Sequence, residues 1–237
     1  GKEPISNSDP NRPRLDIIIP VFDPGLPESG KEYETEGLWP ELRRAEAIRF
    51  AQQLKIALED AGEFGAVRVT PDKTATGDLY VLGKIKESNG EDVEIYLKVI
   101  DISGKTWMTD SYDHEVTTSF HKNIRNKGKD PYEPVFKEAA KSIVEELSYH
   151  DTAELKDIVR ITDLRFGANF IEEEFAEHLT KTDNIYKLAS FPSADDPMLV
   201  RTKAIRVRDQ LFVDGLQDGY RSFSEKMDAS YIIWQEQ

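Results

Sequence analysis

The side chains that could do chemistry in this sequence are few and widely separated. Glu174 and His178 lie four residues apart. On a helix that spacing puts a carboxylate and an imidazole on one face, where they could bind a divalent metal or simply form an exposed helical pair. No His-Glu-x-x-His run completes such a site. The chain has no cysteine, which excludes thiolate nucleophiles, disulfides and cysteine-ligated metal sites.

Motifs for phosphate binding and acid–base catalysis are incomplete. Gly104-Lys105-Thr106 matches the last three residues of the phosphate-binding-loop motif. That motif needs a glycine five residues before Gly104, and this position is Val99. These residues also join two predicted strands instead of opening a helix. Paired carboxylates such as Glu59-Asp60 fall on predicted solvent faces or loops, whereas an acid–base pair needs one carboxyl desolvated in a cleft. We therefore expect no catalytic residues and no cofactor.

Residues suited to contacting a partner occur at two points of the chain. The stretch Asp23–Gly37 is predicted to be a long loop, and loops beyond about 12 residues are often functional or disordered. Trp39 follows it, either packing on the next helix or standing exposed as an anchor. The run Tyr231–Trp234 is apolar beyond the needs of one helix face, so it packs on the core or forms an interface. The predicted partner-binding residues are Pro24, Leu26, Pro27, Trp39, Tyr231 and Trp234.

Charge and composition narrow the class of partner. The 237 residues carry a formal net charge of −14, and 38% of them are hydrophobic. That is enough apolar material for a core, and the acidity disfavours nucleic-acid phosphates and anionic lipid headgroups. No apolar run approaches the roughly 20 residues of a membrane span. We expect a protein partner or self-association, with no nucleic acid.

Hydrophobic periodicity predicts the elements that hold these residues. A β-branched run at Arg14–Phe22 predicts a buried strand, and apolar residues at three- and four-residue spacing predict a helix over Trp39–Ala61. Asn89-Gly90 and Ser103-Gly104 are hairpin turns joining three strands. The predicted segments that follow Gly62 are strands at Phe64–Thr70, Asp78–Ser88, Glu91–Ile102 and Lys105–Ser119, a helix at Pro134–Tyr149, a helix at Asp151–Leu179, a loop at Thr180–Pro197 and a helix at Met198–Trp234.

The predicted fold class is α+β. The order β-α-β-β-β-β-α gives a mostly antiparallel sheet with helices packed on it, followed by a helical extension. The predicted units are a flexible tether at 1–13, an α/β sandwich at 14–149 and the helical extension at 150–237. The apolar stripe predicted for the last helix consists of Ala204, Val207, Leu211, Phe212, Leu216, Tyr220, Phe223, Met227, Tyr231 and Trp234.

Particular residues in the first half carry a family resemblance. They are Ala61-Gly62-Glu63-Phe64 at the end of the first helix, Asp78–Ile85, the strand end Val99–Gly104, and Trp107. This pattern resembles bacterial envelope lipoproteins with the TolB amino-terminal-like fold, such as LpoB-type penicillin-binding-protein activators and CsgG-like lipoproteins. The resemblance spans about Arg14–Leu147.

The resemblance implies a location and a kind of function. It implies a periplasmic, non-enzymatic lipoprotein of a Gram-negative bacterium, held at the outer membrane only through a lipid anchor upstream of Gly1. Its partner would be an envelope protein for assembly, secretion or peptidoglycan synthesis, or another copy. Two alternatives stay open: a metal-dependent hydrolase using Glu174 and His178, and a cytosolic small-molecule-binding domain.

Overall fold

The computed structural model describes residues 3–5, 9–28, 37–117, 119–120, 129–171 and 173–236, with side chains as far as Asp228. The predicted α+β class is confirmed: a mostly antiparallel sheet carries helices and is followed by a long last helix. The elements are β1 Ile17–Pro20, α1 Pro40–Ala61, β2 Val67–Thr70, β3 Leu79–Ser88, β4 Asp92–Asp101, β5 Thr106–Glu115, α2 Glu133–Leu147, α3 Thr152–Ala168, β6 Leu179–Thr182, β7 Ile185–Leu188 and α4 Pro197–Glu236.

The main sheet has the strand order β2-β1-β3-β4-β5. Strand β1 runs parallel to β2 and β3, while β3, β4 and β5 form the antiparallel meander that the two turn signals predict. Gly90 and Gly104 take φ values of 92° and 97° in those turns, a backbone region that glycine enters at little cost. Gly104-Lys105-Thr106 is therefore part of a hairpin, not a phosphate loop.

One face of the sheet builds the core with α1 and α2. Strand β4 shows the alternation of a half-buried strand, with Val93, Ile95, Leu97 and Val99 each 1% exposed or less. Phe50 of α1 lies at the centre, with edge-on ring contacts to Phe22, Tyr132 and Phe136. Burying one such ring contributes about 1.5–3 kcal/mol, so these contacts fix α1 against the sheet.

The segment predicted to be a flexible tether contacts the body at its described residues. The backbone N–H of Ile5 donates to the carbonyl of Ser148 at 2.7 Å. The Arg12 guanidinium donates to the carbonyl of Leu147 at 2.9 Å, and the Thr152 hydroxyl donates to Asp9 at 3.0 Å. The end of α2 and the start of α3 therefore bind this segment at three points.

The region after α3 differs from the predicted long helix and loop. Helix α3 ends at Ala168, and β6 and β7 form a hairpin inside the stretch predicted as a loop. Asp183 and Asn184 have φ values of 53° and 64°, which suit a two-residue hairpin turn. The hairpin is held on the meander because the Tyr186 N–H donates to the Ser103 carbonyl at 2.8 Å.

Helix α4 covers the outer edge of β2 through one glutamine. The Gln217 side chain accepts from the Val69 N–H at 2.8 Å and donates to the Val69 carbonyl at 2.9 Å. It also accepts from Lys55 Nζ at 2.9 Å. The amide thus satisfies the backbone groups that an edge strand otherwise leaves unpaired.

Replacing Gln217 with methionine is expected to destabilise the fold. The change leaves both backbone groups of Val69 without their partner under a covering helix, which costs about 1–3 kcal/mol. Urea unfolding measures the loss, and amide exchange at Val69 should accelerate. Lys226→Ala, at an exposed position of the same helix, is the matched control. An equal loss in both variants would show that Gln217 does not seal the strand edge.

Candidate functional site

The residues that carry the family resemblance build a turn. Asp101 accepts from the Ser103 N–H at 2.8 Å and from Trp107 Nε1 at 2.9 Å. The Trp107 ring is stacked on His150 with centroids 3.7 Å apart, and His150 Nδ1 lies 2.8 Å from Glu154. These contacts join the β4–β5 turn to the start of α3. The turn and the start of α3 are thereby held against each other.

The predicted pair of Glu174 and His178 does not share a helical face. Helix α3 ends at Ala168, and His178 lies in a short 3₁₀ turn, Ala176–His178. His178 Nδ1 is 2.7 Å from the Ser190 hydroxyl. The i,i+4 argument for a metal site is therefore wrong. Within the part of the chain that the structure describes, no three His, Asp or Glu side chains are grouped to hold a metal ion.

The structure places the predicted loop residues Pro24, Leu26 and Pro27 against the sheet. All three are half-buried. The Arg43 guanidinium donates to the Pro24 carbonyl at 3.3 Å, and the Asp23 N–H donates to Gly83 of β3 at 2.8 Å. The start of the loop is thus anchored beside β3, while residues 29–36 lie outside the described part of the chain.

Trp39 lies at the mouth of a cavity of about 520 Å³ between α1 and the β3–β4 hairpin. Its side chain is 60% exposed, which favours an exposed anchor over packing on the helix. Arg43 lines this cavity together with Trp39 and donates to the Pro24 carbonyl, so Pro24 lies close to the cavity as well. The lining residues are Gly37, Leu38, Trp39, Leu42, Arg43, Glu46, Lys86, Glu87, Ser88, Asn89 and Glu94.

The other two predicted residues, Tyr231 and Trp234, lie within the backbone of α4. Their side chains are outside the described residues, so the structure leaves their role as a prediction. Within the described part of α4, several members of the predicted apolar stripe are exposed to solvent.

Helix α4 turns many polar side chains toward the body of the protein. Arg206, Gln210, Gln217 and Ser224 recur along this inward side, and each has its side chain or carbonyl bonded to another element. The described apolar residues on this side are Leu199 and Val213, 0% and 8% exposed, and Tyr220 and Met227, which are partly buried against the core. A surface helix of a globular protein normally buries mainly apolar residues, so the number of polar side chains on the inward side of α4 is unusual.

The outward face of α4 is apolar over about three turns. Val200, Val207 and Leu211 are 52%, 54% and 64% exposed, and Ala204 between them is exposed as well. The spacings of four, three and four residues place them on one line of the helix surface. We call these four residues the outer stripe. The predicted stripe contained three of them, Ala204, Val207 and Leu211, without fixing whether they face the core or a partner; the structure exposes all three.

A groove of about 360 Å³, lined by both polar and apolar residues, lies between α4, the end of α3 and the segment after β2. Phe212 stands at its edge with 71% of its side chain exposed. Phe166 forms part of the lining and contacts the exposed Phe170 edge-on at 5.1 Å. The groove therefore extends the apolar surface of α4 toward the end of α3.

A buried ionic network holds α4 to α3 and the sheet. Arg206 donates to Asp163 at 3.0 Å, and its guanidinium lies 3.9 Å from Asp78. The Thr162 hydroxyl donates to Asp78 at 2.6 Å. Burial raises the pKa of Asp78 above its ordinary value, opposed by the Thr162 hydrogen bond and by Arg206. Burial likewise raises the pKa of Asp163, opposed mainly by Arg206.

Two further ion pairs fix the rest of α4. Arg68 of β2 contacts Asp214 at 2.5 Å. Arg49 of α1, 1% exposed, contacts Asp228 and Asp130. The polar groups on the inward side of α4 are thus matched by charges on the body, while Val200, Ala204, Val207 and Leu211 face outward.

Comparisons with known proteins add little to this geometry. No family model matches the chain, and no curated protein matches it. Among solved structures it is similar to a PelC dodecamer from Paraburkholderia phytofirmans, with 13% identity, a TM-score of 0.33, and coverage of 62% of this chain and 94% of that chain. Among the described residues, no helix has the length and hydropathy to cross a bilayer.

Proposed function

We propose that the protein is a non-enzymatic binding module that docks a protein partner on the outer stripe of α4. The observation that carries this proposal is a line of four exposed apolar residues on a helix that ion pairs and side-chain amides hold to the body of the protein. Its inward face is held by ion pairs and side-chain amides, and its outward centreline is Val200, Ala204, Val207 and Leu211. A contiguous exposed apolar surface of this kind marks an interaction site.

The charges beside the outer stripe indicate the chemistry of the partner. Besides the inward-facing Arg206, residues 197–210 carry three cationic side chains, Arg201, Lys203 and Arg208, and one carboxylate, Asp209, in a chain of net charge −14. Arg201 and Arg208 flank the stripe and, within the described part of the chain, have no ion-pair partner. Complementary charge across an interface favours the correct partner. We therefore assign the stripe to an amphipathic helix whose apolar side is flanked by carboxylates.

A second copy of the chain fits this surface poorly. At 100° per residue Arg201 and Arg208 lie on the same side of the stripe, so an antiparallel pair of α4 helices that buries the stripe brings these arginines of both copies to one seam. Like charges placed together at an interface disfavour the pairing. Burying the stripe in an antiparallel dimer would thus bring like charges together.

The envelope location belongs to the same proposal. It rests on the resemblance of Arg14–Leu147 to envelope lipoproteins, which supports a periplasmic protein held at the outer membrane through a lipid anchor. The partner would then be an envelope protein in assembly, secretion or peptidoglycan synthesis.

A photocrosslinking scan tests the proposal and identifies the partner. Because the chain has no cysteine, single cysteines at positions 200, 207 and 211 can each carry a benzophenone group in the native cell. We expect all three to capture the same protein through an acidic amphipathic segment. Matched sites are the exposed Lys141 on α2 and Ser111 on β5.

Two results would contradict the proposal. One is equal capture from positions 111 and 141, which would mean that the stripe is not selective. The other is a crosslink from the stripe only to a second copy of this chain.

A further inference from the structure

We infer that the cavity beneath Trp39 binds a neutral, hydroxyl-rich ligand, namely a short saccharide. The cavity is separate from the outer stripe and lies between α1 and the β3–β4 hairpin. Its volume of about 520 Å³ falls in the range of small-molecule sites, roughly 300–1,000 Å³. Three features support this inference: a rigid floor, charges of both signs in the lining, and an exposed indole.

The floor of the cavity is formed by polar groups that are already held in place. Glu46 is 1% exposed, Arg43 6% and Ser88 8%. The Ser88 hydroxyl donates to Glu46, and Arg43 Nε lies 3.9 Å from the same carboxylate. A second nitrogen of Arg43 donates to the Pro24 carbonyl. Such a floor is pre-organised, so a ligand does not have to order it on binding.

The rim carries charges of both signs close together. Lys86, Glu87 and Glu94 are all among the lining residues, and Asn89 Nδ2 donates to Glu87 at 3.2 Å. With Arg43 and Glu46 included, the described lining residues hold two cations and three carboxylates. A strongly charged ligand of either sign would meet repulsion here. A neutral hydroxyl can instead donate to a carboxylate and accept from lysine or arginine.

Trp39 supplies the apolar part of the recognition. Its indole is 60% exposed at the cavity mouth, with Leu38 and Leu42 in the same wall. An indole face offers a large, rigid apolar surface next to a polar handle. The C–H face of a sugar ring stacks on such a surface while its hydroxyls reach the rim. A cavity with charged walls and one exposed aromatic suits this ligand class better than a purely apolar compound.

The test follows the tryptophan indole N–H signals by ¹⁵N NMR during titration. The probes are maltotriose, cellotriose and N,N′,N″-triacetylchitotriose, with a Lys-Ala-Glu tripeptide as the rival class. Trp39→Phe assigns the Trp39 signal. We expect one trisaccharide to shift Trp39 saturably while buried Trp107 stays unmoved. Trp39→Ala should weaken that binding at least about tenfold, and Trp39→Phe should retain most of it.

Ile56→Ala, at a 41% exposed position on the same helix, is the matched control and should leave the affinity unchanged. Tighter binding of the tripeptide, no saturable Trp39 shift with any sugar, or unchanged affinity in Trp39→Ala would each overturn the inference. Val207→Glu, on the outer stripe, should leave the sugar titration intact. Failure of this site and failure of the proposed partner site are therefore distinguishable.

Discussion

Replacing Arg206 with alanine is expected to lower the free energy of unfolding by about 3 kcal/mol or more at pH 7, because it leaves buried carboxylates without their cation. The Arg206 side chain is only 11% exposed. Its guanidinium hydrogen-bonds Asp163 and lies within 4.0 Å of Asp78 and Asp16. Arg68 is 3.6 Å from Asp16 but does not replace the contact with Asp163.

The loss should shrink as the pH falls. Burial raises the pKa of Asp78 and Asp163, and Arg206 opposes both shifts. A carboxyl whose pKa is raised in the folded state binds more protons there than when unfolded. Its contribution to stability is therefore full below the ordinary value of 3.8 and decreases as the pH rises through the folded pKa. Removing Arg206 raises the pKa values of Asp78 and Asp163 further. Lowering the pH therefore restores more of the free energy of unfolding in the variant than in the parent.

Urea unfolding of parent and variant at pH 7 and pH 5 measures this difference. Arg206→Lys should recover part of the stability, and Arg201→Ala, at an exposed position on the same helix, should change it little. A deficit that is constant or larger at pH 5 would show that Arg206 acts through packing rather than through the buried carboxylates.

Placing a charge on the outer stripe is expected to abolish partner binding without unfolding the protein. Leu211→Glu and Val207→Glu each put a carboxylate where the partner's apolar side and flanking acids would dock. The combined desolvation and repulsion should weaken binding at least about 100-fold. Both positions are more than half exposed, and glutamate is a good helix former, so stability should change by less than about 0.5 kcal/mol.

Binding is measured by calorimetry with the partner that crosslinking identifies. Arg208→Glu should weaken it mainly at low salt, because exposed charges are screened as ionic strength rises. Lys141→Glu on α2 introduces a carboxylate away from the stripe and should leave the affinity unchanged. Equal losses at positions 141 and 211 would trace the effect to net charge rather than to the stripe.

The sequence predicts the sheet half of the fold well because its signals are local. Asn89-Gly90, the β-branched strand at Ile17–Pro20 and the helix-ending Gly62 each act over a few residues, and the structure contains all three features. Gly62 has φ 71°, as a left-handed helix cap requires. Each of these elements can therefore be predicted without knowledge of any long-range contact.

The C-terminal half resists prediction because distant charges decide which face of α4 is buried. Apolar periodicity placed Val207 and Leu211 on one stripe with Tyr220 and Met227 but could not show which of them are buried. Ion pairs from Arg206 to Asp163 and from Arg68 to Asp214 span 43 and 146 residues, and with them Tyr220 and Met227 pack on the core while Val207 and Leu211 are exposed. The recurrence of Arg206, Gln210 and Gln217 at helical spacing is the sequence signal that could have shown it.

The candidate sites were predicted only in part. Trp39 was identified from its type and its place after a long loop; it is 60% exposed, and its role in binding a partner stays a prediction. The cavity floor of Arg43, Glu46 and Ser88 could not be foreseen, because β3 and α1 meet only in the folded chain. The pair of Glu174 and His178 failed because α3 ends before it.

Methyl NMR of the outer stripe tests the central claim most directly. The methyl signals of Val200, Val207 and Leu211 are followed first on dilution of the free protein and then on addition of the crosslinked partner, with exposed Ile56 of α1 as the reference. We predict no change on dilution, and saturable shifts of the three stripe residues, but not of Ile56, with the partner. Concentration-dependent shifts in the free protein, or a complex that leaves the three signals unmoved, would contradict the account.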